Sequence, residues 1–176
     1  CGAVGKLGFY NSQEIGKAKA FAKLNYNITV FIPDHNIRNK EEKDIAEHIK
    51  LVYMPCRKIG IHAFFDLLVL KEYGIQVVEL ENDNSLFAPQ ILKYCTANNI
   101  YVYNYIGTIY SNKGSYIKRW IMRWVLCRNV RYIKRYDNVV KNSQLKKELE
   151  KRGISEITVA PVGLDLEIIP QIKETK

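Results

Sequence analysis

The chain has 176 residues, 47% of them hydrophobic and 26% charged, with a formal net charge of +9. These values fit one ordinary folded α/β or similar domain and exclude a disordered chain. No apolar run approaches the ~20 residues a membrane span needs, and the opening Cys1-Gly2-Ala3-Val4-Gly5 lacks the basic stretch and apolar core of a signal peptide.

A helix is expected over residues 12–24, with Asn11 as its N-cap and Glu14 as the reciprocal partner. Residues 27–33 (NITVFIP) are β-branched and aromatic and predict a buried strand, ended by Pro33-Asp34. Residues 40–47 are highly charged and predict a solvated loop or short helix. Residues 49–54 predict a strand, stopped by Pro55. A helix is expected over 61–73, with Ile61, Phe64, Phe65, Leu68 and Leu70 on its apolar side and Gly74 as its C-cap. Residues 76–80 predict a short strand, and Asn84 or Ser85 caps a helix running to about residue 97. Residues 100–106 (IYVYNYI) predict a strand closed by Gly107-Thr108. A long basic helix follows over 115–135, then a strand over 138–141. Ser143 is expected to cap a helix over 144–152 that ends at Gly153. The last strand is 157–160, closed by Pro161-Val162-Gly163.

Alternating strands and helices imply parallel βαβ units with right-handed crossovers. The fold class expected is α/β, a Rossmann-like three-layer domain with a mainly parallel sheet. Such sheets bind ligands at the carboxyl ends of their strands.

The charge is local. Between Ser111 and Tyr136 lie eight basic residues and no acidic one: Lys113, Lys118, Arg119, Arg123, Arg128, Arg131, Lys134 and Arg135. They account for all but one unit of the net charge, which points to a single anionic partner surface. In this helix Ile117, Trp120, Ile121, Trp124 and Val125 recur at helical spacing. One reading packs Trp120 and Trp124 on the sheet and leaves the cations solvated. The other makes Lys118, Arg119, Trp120, Arg123 and Trp124 a patch for an anionic membrane surface. Nucleic acid is not expected, since no recognised binding motif accompanies the patch.

The four cysteines, Cys1, Cys56, Cys95 and Cys127, are dispersed and read as small buried apolar residues. His35, His48 and His62 form no motif, so no metal site is expected. The opening GAVGKLG has neither the glycine spacing of a dinucleotide fingerprint nor the Ser/Thr of a Walker phosphate loop. A Gly-rich loop leading into a helix still suits an anion. Phosphate proximity at Gly5, Tyr10, Asn11 and Ser12 and a plain strand-to-helix turn both stand. Glu79 and Glu81 share one strand face and could pair as acid and base. The simpler reading is a solvated strand end, with Glu81 and Asn82 the residues nearest a ligand. No catalytic residue is identified.

Three stretches resemble the N-terminal domain of GT-B glycosyltransferases of the retaining group 1, family four type. The first is the Gly-rich loop followed by NSQEIGKAKAFAKLNYNITVFIP. The second is VELENDNSLFAPQILKYCTANNIYVYNYIGT. The third and most specific is RYDNVVKNSQLKKELEKRGISEITVAPVGLD. Order and spacing run from Gly2 to Asp165. Two departures stand out. Asn11-Ser12 replaces the family's frequent Gly-Gly, and Ile106-Gly107, preceded by Tyr105, replaces its His-Gly turn.

The resemblance implies one half of a GT-B architecture, with residues 1–165 as the N-terminal domain and 166–176 as the start of a linker or tail. It implies the acceptor-binding half of an enzyme that transfers sugar from a nucleotide-sugar to a glycan or lipid-linked acceptor. The donor is then a substrate, and no cofactor is expected. The partners implied are a C-terminal donor-binding domain of the same protein and the acceptor. The cleft would be lined by Gly5, Tyr10, Asn11, Ser12, Glu81, Asn82, Tyr105 and Gly107. Location would be cytoplasmic, at most peripheral on a membrane. A nucleotide-sugar epimerase of the same architecture and a non-catalytic nucleic-acid-binding module are the competing readings.

Overall fold

The computed structural model describes residues 13–60, 62–81, 85–107 and 115–161. The chain is a mixed α/β protein whose described residues fall into two compact units, 13–56 and 57–161.

The first unit holds helix α1 (Gln13–Ala22) and strands β1 (Ile28–Asp34), β2 (Glu41–Ala46) and β3 (Ile49–Pro55). The sheet order is β1-β3-β2, with β1 parallel and β2 antiparallel to β3. Leu51 and Val52 are adjacent, so they point to opposite faces, and both are fully buried. A strand buried on both faces reads as an unbroken apolar run, as LVYM does here. Helix α1 packs on β1 and β3 through Ile15 and Ala18. The charged segment expected to be a loop or short helix is instead edge strand β2. Its side chains are nearly all exposed, so it shows no apolar alternation, and charge suits a strand at the edge of the sheet formed by the described residues. A two-residue loop, Glu47-His48, joins it to β3, with His48 at φ 63° and a bulge at Ile45. His48 Nδ1 donates to Asn27 Oδ1 at 2.8 Å, tying this loop to the start of β1.

The second unit opens with a short antiparallel hairpin, β4 (Arg57–Ile59) and β5 (His62–Phe64). Helix α2 (Leu68–Glu72) follows. The long helix expected over 61–73 is therefore one and a half turns, preceded by a hairpin. Phe64 and Phe65 are drawn out of any helix by the ring of Phe87, with centroids at 5.2 and 5.0 Å. Then come β6 (Val77–Leu80), α3 (Ala88–Ala97), β7 (Tyr101–Ile106), α4 (Tyr116–Ile133), β8 (Asp137–Val140), α5 (Ser143–Glu150) and β9 (Ile157–Val159). Strands β6-β7-β8-β9 are adjacent in that order and all parallel.

With consecutive strands adjacent and right-handed crossovers, α3, α4 and α5 fall on one face of this sheet. Val102, Asn104 and Ile106 of β7, Asn138 and Val140 of β8 and Ile157 of β9 point to that face and are buried. The opposite face carries Val77, Glu79, Tyr101, Tyr103 and Asp137. Val77 and Tyr101 there are 57% and 54% exposed.

Four helices end in the same way. After α1, α2, α3 and α5, a left-handed residue (Asn25, Gly74, Asn99 and Gly153) stops the helix. The amide after it bonds back five residues: Tyr26 to Phe21 O, Ile75 to Leu70 O, Ile100 to Cys95 O and Ile154 to Leu149 O. This is the Schellman closure, and each one turns the chain into the next strand within a few residues. Two expected N-caps are corrected. Asn142, not Ser143, caps α5, its Oδ1 accepting from Leu145 N at 2.9 Å. Ser85 Oγ accepts from Phe87 N in a turn before α3, whose own first residues have no side-chain cap. Ser115, not singled out in the sequence, caps α4 by accepting from Lys118 N.

Candidate functional site

Four parallel strands bring their carboxyl ends to one edge of the second unit. Glu81 follows β6, Gly107 follows β7, Lys141-Asn142 follow β8 and Ala160-Pro161 follow β9. Ala160 N still bonds to Val140 O at 2.8 Å, so the ladder holds to the last residue of that edge. Of the predicted cleft residues, Glu81, Tyr105 and Gly107 lie here. Glu81 is half-buried, Tyr105 is buried one residue before the end of β7, and Gly107 closes that strand. Gly5, Tyr10, Asn11, Ser12 and Asn82 lie outside the described residues.

The segment between β6 and α3 is held from two sides. His62 Nδ1 accepts from Leu86 N at 3.4 Å. From α4, Arg128 Nη1 donates to Leu86 O at 3.3 Å, and Asn129 Nδ2 donates to Ser85 O at 2.8 Å. Arg128 also reaches Asn129 Oδ1 at 3.3 Å. Arg128, counted in the basic patch from sequence, thus turns toward the backbone of this segment. His62 is buried, and burial lowers its pKa from the usual 6.5. Acceptance at Nδ1 and the lowered pKa agree: the ring is neutral, with its proton on Nε2.

On the sheet face away from the helices, Tyr103 OH donates to Glu79 Oε2 at 2.6 Å. Tyr101 OH donates to Asp137 Oδ2. Burial, then the Glu79 bond, raises the Tyr103 phenol well above its ordinary range, and the Glu81 carboxylate adds to the effect. Glu79 and Glu81 therefore lie about one phenol, but Glu79 acts as its hydrogen-bond acceptor. The arrangement holds the phenol protonated and positions carboxylates, which suits the recognition of hydroxyl-rich ligands more than proton transfer by Tyr103.

Sequence reasoning missed these Tyr–carboxylate pairs, the role of His62 and the Arg128–Asn129 clasp. The alternation of Tyr101, Tyr103 and Tyr105 was a usable signal, because period-two tyrosines share one sheet face. His62, Arg128 and Asn129 meet the segment only in three dimensions.

The basic helix divides cleanly. Val125, Leu126, Asn129 and Ile133 are its buried side. Trp120 and Trp124 are 62% and 54% exposed, so the expectation that they pack on the sheet is overturned. The four buried residues already occupy the sheet-facing side, and the tryptophans lie opposite. Lys118, Arg119 and Arg123 are exposed as well, Arg123 next to the tryptophan side. Among the cysteines, Cys95 is buried and its thiol is pushed up to about 11, whereas Cys127 is exposed, contrary to the expectation for it. Among the described residues no group of histidine, cysteine and carboxylate side chains could hold a metal ion, and no helix is long and apolar enough to cross a membrane. No protein-family model matches the chain, and no curated protein matches it.

Proposed function

We propose that this chain is the acceptor-binding part of a retaining glycosyltransferase of Rossmann-like, three-layer GT-B type, transferring sugar from a nucleotide-sugar to a glycan or lipid-linked acceptor. The observation that carries the reading is the segment most like that family. Residues 136–161 run as β8, α5 and β9 in one parallel unit, and their ends share an edge with Glu81 and Gly107. Carboxylates and phenols beside that edge can hydrogen-bond sugar hydroxyls. No protein nucleophile is needed if the donor phosphate helps deprotonate the acceptor. The protein then contributes positioning and stabilisation of leaving-group charge.

The test is release of nucleoside diphosphate from a panel of nucleotide-sugars by the full-length protein, supplied with lipid extract and oligosaccharide acceptors. Transfer with retained anomeric configuration is expected, and Glu81→Gln is expected to lower kcat/KM about tenfold or more. The chain alone is expected to transfer nothing and to bind nucleotide-sugars weakly. No transfer by the full-length protein with any donor overturns the activity. Tight donor binding by the chain alone in calorimetry overturns the acceptor-side assignment.

A further inference from the structure

We propose that the outward face of α4 docks the protein on an anionic lipid surface. Tyr116, Ile117, Trp120, Ile121 and Trp124 are all exposed. Their spacing puts them on one side of the helix, across its first two and a half turns, opposite Val125, Leu126, Asn129 and Ile133. A solvated helix face is normally polar. A contiguous set of large apolar side chains marks an interaction surface.

The charge around this stripe identifies the partner. Lys118, Arg119 and Arg123 flank it, and Arg131, seven residues beyond Trp124, continues the same side. Lys134 and Arg135 follow, also exposed, and no acidic residue interrupts the sequence from Ser111 to Tyr136. Aromatic and aliphatic groups suit the boundary between headgroups and acyl chains, and the cations suit the phosphates above it. A second copy of the chain fits poorly. Symmetric pairing through this face would set its cations against themselves with no carboxylate between. Single-stranded nucleic acid takes a basic groove with stacking platforms. This face is the convex outside of one helix, and Ile117 and Ile121 offer neither stacking nor hydrogen bonds.

The chain contains two tryptophans, Trp120 and Trp124, so its tryptophan emission reports on this face alone. The experiment adds vesicles of phosphatidylcholine, or of equimolar phosphatidylcholine and phosphatidylglycerol, to the full chain at low and high salt. A blue shift, quenching by brominated acyl chains and co-sedimentation are expected with the anionic vesicles and should weaken with salt. Arg119→Glu with Arg123→Glu is expected to weaken partitioning about tenfold or more without changing the emission of the free protein. Trp120→Ser, which removes an exposed side chain and leaves Trp124 as reporter, should weaken it as well. Unchanged emission with equal recovery in the supernatant overturns the proposal. So does emission that is already blue-shifted and shielded from acrylamide in the free protein, which would mean that this face is covered by protein. Tighter binding to a single-stranded RNA than to anionic vesicles also overturns it.

Discussion

Asn104 and Asn138 stand in register on the two central strands of the parallel sheet, and Asn104 Nδ2 donates to Asn138 Oδ1 at 3.1 Å. Both are buried on the face that packs against the helices. Asn138 Nδ2 in turn donates to Ile133 O at 3.1 Å and Tyr136 O at 2.6 Å, so it fastens the end of α4 to β8. Asn104 Oδ1 has no hydrogen-bond partner among the described residues.

Asn138→Ala removes all three bonds and strands buried partners. A loss of about 2–4 kcal/mol is expected. Asn104→Ala removes one bond and an acceptor with no described partner, so its cost should be smaller. Urea unfolding of both variants measures the difference. Equal costs would show that the Asn138 contacts to the helix end contribute nothing.

His62 gives a pH dependence of stability. Its folded pKa lies below the unfolded value of 6.5 because burial disfavours the charged ring. Above the unfolded pKa both states are neutral and the stability is fully present. As pH falls below it, the unfolded state takes up the proton first, and stability is lost on the way to the folded pKa. Thermal unfolding between about pH 7.5 and pH 5 is expected to show this loss, and His62→Gln should flatten it. A variant with the same pH slope as the wild type would remove His62 as the cause.

Two glycine substitutions should act in opposite directions. Gly16 lies inside α1, and a Cβ there meets nothing within 4 Å. Gly16→Ala is expected to stabilise by about 0.5–1 kcal/mol through lower unfolded-state entropy. Gly153 sits at φ 79° in the Schellman closure of α5. Gly153→Ala there is expected to cost about 1 kcal/mol, because a Cβ is strained at that φ whatever the free space. Melting temperatures of the two variants should move apart.

What the sequence by itself determined is the order of the elements outside residues 40–47 and 57–67. The apolar runs at residues 27–33, 49–54 and 100–106 and the helix stops at Gly74 and Gly153 are local signals, and each of these elements stands within a residue or two of its expected place. Backbone conformation at a glycine and burial of a continuous apolar run need no distant partner to be read. What only the tertiary structure decided involves partners far apart in the chain. Strand β2 is a strand because β3 accepts its backbone, not because its side chains alternate. Residues 62–64 form a hairpin strand and 65–67 stay out of helix because Phe64 and Phe65 find Phe87. The candidate site follows the same division. Glu81 and Gly107 were legible as strand ends, whereas Arg128 and Asn129 reach the segment before α3 from more than forty residues away. The outward turn of Trp120 and Trp124 was ambiguous in sequence, since one apolar stripe on a helix fits either a packed face or an exposed one. Only the packing of α4 against the sheet settled it: Val125, Leu126, Asn129 and Ile133 take the sheet side, which leaves the tryptophans facing outward.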